Sequence, residues 1–226
     1  GIQIVICIDE FQQISDFEDS KTFQKKLRSV WQLQQHVSYC LFGSKKHLMN
    51  ELFEKKNLPF YKFGDAIYLA KIETKYWIEY ICKRFENTGK HISPELAEEI
   101  CRLVDNHSSY VQQLSWLLWI RTINTATTEQ LSYALEDLLD QNNILFQSET
   151  ENLSAYQMNF LKAIVDGIHT KFSSKEVISK YNLGTSANIV RLKNALLQKE
   201  LIETNGKEIV LADPVFGVWF KKEMLY

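Results

Sequence analysis

The sequence predicts a mostly helical chain of 226 residues, with an α/β portion first, an all-helical block next and a winged helix at the end. Three observations carry this prediction. Near the start, two short apolar runs, IVICI at 4–8 and VSYCLF at 37–42, flank a stretch of helical periodicity. From Thr74 strand signals cease and helical periods follow one another through residue 146. Near the end, two helical segments three or four residues apart precede two strand runs around Asn205-Gly206.

The first run, Ile4-Val5-Ile6-Cys7-Ile8, is short, β-branched and apolar at consecutive positions, which predicts a strand buried on both faces. It stops at two adjacent carboxylates, Asp9 and Glu10. Ionised carboxylates are costly to desolvate, so the pair belongs at the carboxyl edge of the sheet, where ligands of α/β folds bind. Two readings stay open. Asp9 caps the next helix, or the run is a Walker B strand in which Asp9 holds Mg²⁺ through water and Glu10 orients and deprotonates the water that attacks a γ-phosphate.

Between 17 and 36, Phe23, Leu27, Val30, Trp31 and Gln34 recur at helical spacing, an amphipathic helix covering the sheet. VSYCLFGS then ends in Gly43-Ser44, completing a strand, helix, strand crossover of a parallel sheet. KKHLMNELFEKKN reads as a short helix, Pro59 and Gly64 punctuate a loop, and AIYLAKI at 66–72 reads as a third short strand. Helices are expected over 74–86, 93–105, 108–122 and 127–146, with Trp77, Trp116 and Trp119 supplying the core of this block. Ser93 as N-cap, Pro94 at the first helical position and Glu95 in the first turn give one clean start, and TTEQL at 127–131 gives another.

An acidic polar link, QSETEN at 147–152, is expected to separate this block from three further helices. The first of these ends at Gly167; the second is capped by Ser173 or Ser174 and ends near Gly184; the third is TSANIVRLKNALLQKE. LIETNGKEIVL adds a hairpin around Asn205-Gly206. Helix-turn-helix spacing plus a hairpin makes a winged helix.

Composition excludes several classes. With 45% hydrophobic, 12% aromatic and 24% charged residues, the chain is neither disordered nor fibrous. Its 26 basic and 28 acidic residues leave a net charge of −2, so affinity for nucleic acid would have to be local. Cys7, Cys40, Cys82 and Cys101 are widely spaced, with no C-x-x-C pair and no histidine at a ligand spacing, which indicates neither a zinc site nor a disulfide framework. Cys7 and Cys40 lie in strand runs and are expected as small core residues in a reducing compartment. No segment reaches the roughly 18 apolar residues of a membrane helix, and no signal peptide is evident, so a cytoplasmic protein is expected.

The whole chain resembles P-loop ATPases of the AAA+ and STAND group, common in archaea and Bacteroides-like bacteria. The residues that carry the resemblance are IVICIDEFQ, LFGSKKHLM, LPFYKFG, VDNHSSYVQQLSWLLW and LADPVFGVWF. The resemblance implies an α/β remnant of a P-loop ATPase core at 1–73, a helical lid at 74–147 and a winged helix-turn-helix domain at 153–226. It makes ICIDE the Walker B strand and Ser44 the sensor-1 residue that helps fix the attacking water or γ-phosphate. Read from the residues alone, Ser44 could equally cap the helix that follows. NHSSYVQQL falls where relatives place a Gly-His-Pro-like turn near the nucleotide, with Asn106 and Ser108 standing where glycine and proline are usual. His107 is the histidine the resemblance singles out for nucleotide contact, a plain cap or surface role being the alternative.

A Walker A loop, G-x-x-x-x-G-K-[ST], should precede Walker B, because its amides and lysine cradle the phosphates. It is absent from the sequence, and Gly89-Lys90 and Gly206-Lys207 lack both the leading glycine and the following Ser or Thr. The chain therefore reads as the C-terminal part of a longer ATPase, with ATP and Mg²⁺ as the cofactors of the parent and negligible ATP affinity of its own.

From 154 to 226 there are 10 Lys or Arg against 7 Asp or Glu, a mild basic excess over the 16 and 21 of the remainder. On the third helix of the winged domain, Ile189, Leu192 and Leu196 are expected to face inward, and Ala187, Arg191, Asn194 and Gln198 outward. Arg191 and Asn194 could hydrogen-bond base edges, with Lys193 and Lys199 beside them and Lys207 at the hairpin tip meeting a phosphate. The expected partner is DNA or a protein, a homo-oligomer included, with no membrane. Two functions follow: an ATPase whose hydrolysis drives lid and winged helix, or a nucleotide-dependent regulatory scaffold with little hydrolysis whose winged helix recruits a protein.

Overall fold

The computed structural model describes residues 2–225. The chain divides into two compact units, Gly1–Leu69 and Ala70–Tyr226. Among the described residues no helix is long and apolar enough to cross a membrane.

In the first unit, β1 (Ile4–Ile8) and β2 (Val37–Leu41) pair in parallel, Ile4 opposite Val37 through Ile8 opposite Leu41. A 3-10 helix (Phe11–Asp16) and α1 (Ser20–Trp31) connect them, and α2 (Lys46–Glu54) follows. The core is aromatic: Phe11, Ile14, Leu52 and Phe60 are buried, and Leu27, Trp31, Phe53 and Phe63 pack against them. Phe60 meets Phe11 and Phe63 edge-on, each at 5.3 Å, the geometry aromatic quadrupoles prefer.

This core meets the strands at their carboxyl ends, through Ile8 and Leu41, while Ile4 to Cys7 of β1 are all exposed. Along β2, Val37, Tyr39 and Leu41 are half-buried while Ser38 and Cys40 are exposed; their partners Val5 and Cys7 on β1 are exposed as well. The expectation of burial on both faces, and of Cys7 and Cys40 as core residues, is therefore corrected. On α1 the buried stripe runs through Gln24, Leu27 and Trp31, whereas Phe23 and Val30 lie exposed. The third strand expected at 66–72 is not formed: among the described residues the segment enters no β-ladder, and Ile67 and Leu69 are 84% and 93% exposed. A β-prone sequence without a ladder partner has no means of satisfying its backbone as a strand.

The second unit is built from α3 (Thr74–Glu86), α4 (Pro94–Leu103), α5 (Ser108–Arg121), α6 (Thr128–Glu151), α7 (Ala155–Val165), α8 (Lys175–Tyr181), α9 (Ser186–Gln198), the antiparallel hairpin β3 (Ile202–Asn205) and β4 (Glu208–Leu211), and α10 (Pro214–Leu225). Its starts follow the expected chemistry. Ser93 caps α4 through the Leu96 amide, Thr127 and Gln130 form a reciprocal capping box on α6, Ser154 and Gln157 repeat it on α7, and Ser174 caps α8.

One expectation fails here, and one element appears that the sequence reading did not include. The link at 147–152 lies almost wholly within α6, which continues to Glu151 because Phe146 and Thr150 are buried along its inner face. The closing segment, not anticipated as a helix, forms α10, whose Phe216 and Trp219 pack on Phe146 at 5.4 and 5.6 Å. Trp219 also donates to Asn143 at 2.8 Å. One continuous core thus runs from Trp77 in α3 to Phe220 in α10. Trp77 belongs to it, Trp119 packs at its edge, and Trp116 does not: it is 56% exposed on the outer side of α5.

Candidate functional site

The carboxyl end of the parallel pair gathers the residues singled out in the sequence. The ladder runs on past the strands, with the Phe42 amide donating to Ile8 and the Phe11 amide donating back to Phe42, both at 3.0 Å. Residues 42–44 are thereby held against 9–11. Glu10 adopts a left-handed backbone (φ 49°, ψ 40°), which ends β1 and turns the chain into the 3-10 helix. Ser44 Oγ lies 3.1 and 3.2 Å from the two oxygens of the Glu10 carboxylate, to which it donates. From the other side the Gln12 amide nitrogen donates to Glu10 Oε2.

Gln12 is buried and its Oε1 has no partner among the described residues. It rests against Gly43, where a Cβ would come within 1.9 Å of that oxygen. Gly43, read from the sequence only as the end of a strand, is therefore a close-approach glycine that admits the Gln12 amide. Gln12 was missed because nothing in DEFQQI separates a buried glutamine from an exposed one; the apolar neighbours Phe11 and Ile14 are the sole hint.

The open alternatives for Asp9 and Ser44 can be compared with the hydrogen bonds. Asp9 Oδ1 accepts from the adjacent Glu10 amide at 2.8 Å, and the 3-10 helix has no side-chain cap. Lys45 occupies the N-cap position of α2, again without a side-chain cap, while Ser44 is engaged with Glu10. The donor set, an exposed carboxylate beside a half-buried one and a hydroxyl, is all hard oxygen. Among the described residues no group of three or more His, Cys, Asp or Glu side chains could cage a metal. The set fits Mg²⁺, which keeps several waters and leans on one or two carboxylates plus substrate phosphates.

In the second unit, His107 stands at the N-cap position of α5 without capping it. Its ring lies 4.7 Å from that of Tyr110, and its Nδ1 is buried without a hydrogen-bond partner among the described residues. Asp105 and Asn106 before it both take left-handed φ, at 48° and 53°, and Asn106 is tied to Thr74 by its Nδ2 at 3.0 Å. Tyr110 donates to Asp213, the residue whose Oδ1 accepts the Val215 and Phe216 amides at the start of α10. Burial and the Asp213 carboxylate push the Tyr110 phenol well above its ordinary range.

On the winged helix, α8 and α9 are joined through Asn182 and Gly184, both left-handed (φ 50° and 84°). Ile189, Leu192 and Leu196 of α9 are buried, whereas Ala187, Arg191, Asn194 and Gln198 are exposed, as the wheel predicts. Lys193 is half-buried; Lys199 and Lys207 are exposed, Lys207 in the turn of the hairpin. Arg191 donates to Asn188 at 2.9 Å, which holds the guanidinium along the outer face.

A family profile described as "Probable winged helix domain" matches residues 144–222. Among solved structures, a Walker-type ATPase of Pyrococcus abyssi superposes with a TM-score of 0.72 at 17% identity, over 97% of this chain and 63% of that one. This is a P-loop ATPase-like fold ending in a winged helix. The chain spans less than two thirds of that relative's length. More distant are the RuvB Holliday junction branch migration motor of Thermotoga maritima (TM-score 0.48, 14% identity, 98% of this chain and 70% of that one) and the ORC1 protein of Aeropyrum pernix in complex with DNA (TM-score 0.46, 12% identity, 97% and 64%). Comparison with curated proteins gave no match.

Proposed function

We propose that Asp9, Glu10 and Ser44 are metal-holding and water-activating groups of a Mg²⁺-dependent ATPase of the AAA+ and STAND group, and that the winged helix carries its output to duplex DNA. The observation that carries the reading is the Ser44–Glu10 contact at the carboxyl end of two parallel strands. In an α/β sheet this edge is where ligands bind.

Glu10 is the base. Its carboxylate accepts a proton from a water placed for in-line attack, and Ser44 and Gln12 hold it in one orientation from two sides. Asp9 is exposed, and its Oδ2 has no partner among the described residues, which leaves it to hold Mg²⁺ through water. The ion, when bound, would offset the charge that develops on the transferred phosphoryl group. The sequence holds no G-x-x-x-x-G-K-[ST] loop, so no phosphate cradle is assigned within it. His107, at the turn entering α5, is proposed to face nucleotide from a lid spanning 74–147, between an ATPase portion at 1–73 and a winged helix at 153–226.

On the winged helix we assign Arg191 and Asn194 to base edges, Lys193 and Lys199 to the flanking backbone and Lys207 to a phosphate beyond the hairpin. A second reading, a regulatory scaffold with little hydrolysis whose winged helix recruits a protein, is decided by the same experiment. In the protein expressed from its complete coding sequence, Glu10→Gln is expected to lower phosphate release by about 10²-fold or more while nucleotide binding is kept. An unsubstituted protein that binds nucleotide with negligible turnover would instead establish the scaffold.

A further inference from the structure

A cleft of about 450 Å³ lies between α3 and α5, within the roughly 300–1,000 Å³ of ligand-binding pockets. Its walls include Tyr80, Trp116 and Trp119, and Phe85 is among the apolar side chains behind them. Trp116 and Tyr80 are 56% and 42% exposed, so both rings present apolar surface at the mouth of the cleft. Trp119 is fixed in place: its indole donates to Thr88 at 2.9 Å, and the Lys90 ammonium sits 4.1 Å over its ring.

Polar groups in the cleft are left uncommitted. Ser115 Oγ is buried without a hydrogen-bond partner among the described residues. The Arg84 guanidinium is stacked 5.0 Å over Tyr80 and makes no ion pair with any described residue. Stacking leaves the N–H edge of an arginine free to take a carboxylate in a bidentate fork. Charge separates the two kinds of macromolecule that bind aromatic platforms. Residues 74–147 carry 6 basic against 10 acidic side chains, a net repulsion for a polyphosphate track, whereas one carboxylate needs only Arg84.

We propose that this cleft is the docking site of a protein partner that inserts one aromatic or leucine side chain against Tyr80, Trp116 and Trp119 and sets a neighbouring carboxylate on Arg84. Anchors of this kind, an apolar side chain in a pocket with a charge-assisted bond at its rim, concentrate binding energy in few residues. Its residues are carried by α3, α5 and the turn after α3, and none of them belongs to α9 or to the Asp9, Glu10 and Ser44 set.

The test uses the 226-residue chain and a capped glutamate-phenylalanine-glutamate tripeptide, followed through the indole N–H resonances of Trp116 and Trp119. Both are expected to shift saturably. Arg84→Gln, at an exposed position, should weaken binding about tenfold, and Trp116→Ala should abolish it. Indoles that stay still at millimolar peptide overturn the proposal, as does equal binding of a lysine-phenylalanine-lysine peptide or full affinity in Arg84→Gln. Shifts produced by oligothymidylate in preference to the acidic peptide would make this a single-strand platform and also overturn it.

Discussion

Tyr110 and Asp213, 103 positions apart in sequence, meet at 2.5 Å, the phenol donating to Asp213 Oδ2. The same carboxylate uses Oδ1 to cap α10, so one side chain both starts the last helix and ties it to the N-terminal turn of α5. Tyr110→Phe keeps the ring and removes the donor. It should cost about 1–3 kcal/mol of stability, because a partly buried carboxylate loses a partner, and urea unfolding should show a lower midpoint with unchanged slope.

Glu149 lies close to this pair, and burial, then the charge of Asp213, raise its carboxyl above the ordinary value of 4.5. The folded state then binds that proton more tightly than the unfolded chain. The contribution is fully favourable below about pH 4.5 and is lost as pH rises through the raised value. Glu149→Gln should accordingly melt higher than the unsubstituted chain at neutral pH, with the gain shrinking towards zero on acidification. A gain that instead grew towards low pH would show the sign to be wrong.

Gly43→Ala places a methyl where the Gln12 amide now lies. Gln12 must move, and its bond to Glu10 goes with it. Misplacement of a catalytic group by about 1 Å can cost about 10²-fold in rate. Phosphate release by the protein from its complete coding sequence should fall on that scale while its melting temperature changes by only a few degrees. Equal losses of rate and stability would mean that Gly43 merely packs the fold.

For the winged helix, Arg191→Ala should weaken duplex binding at low salt by about 1–3 kcal/mol and relax discrimination at one base position. Lys207→Ala should weaken all sequences alike and reduce the slope of log affinity against log salt by about 1. If the domain binds duplex DNA and Arg191→Ala leaves affinity unchanged, α9 is not seated in the groove.

Local chemistry was legible without coordinates. The span of α3 follows from helical period, and the caps Ser93 and Thr127, with Ser174 as one of two candidates, follow from side chains that bond amides three residues on. The inward face of α9 follows from helical period alone. Ser44 was singled out by the family resemblance alone, with a capping role left open; its contact with Glu10 comes from the parallel pairing of β1 and β2.

What was not legible depended on distant partners. Whether 66–72 is a strand is decided by a neighbour to hydrogen-bond with, and whether Cys7 and Cys40 are buried is decided by what covers the sheet. The polar run at 147–152 joins a helix because Phe146 and Thr150 are buried on its inner face, which composition does not express. Trp116 has the chemistry of a core residue and a place on the surface, at the cleft it lines with Tyr80 and Arg84. Residue types, periods and caps thus indicated most of the elements and the candidate pair Asp9 and Glu10. Only the tertiary structure decided which faces are covered, because burial and long-range hydrogen bonds are properties of pairs of segments, and a sequence states only one member of each pair at a time.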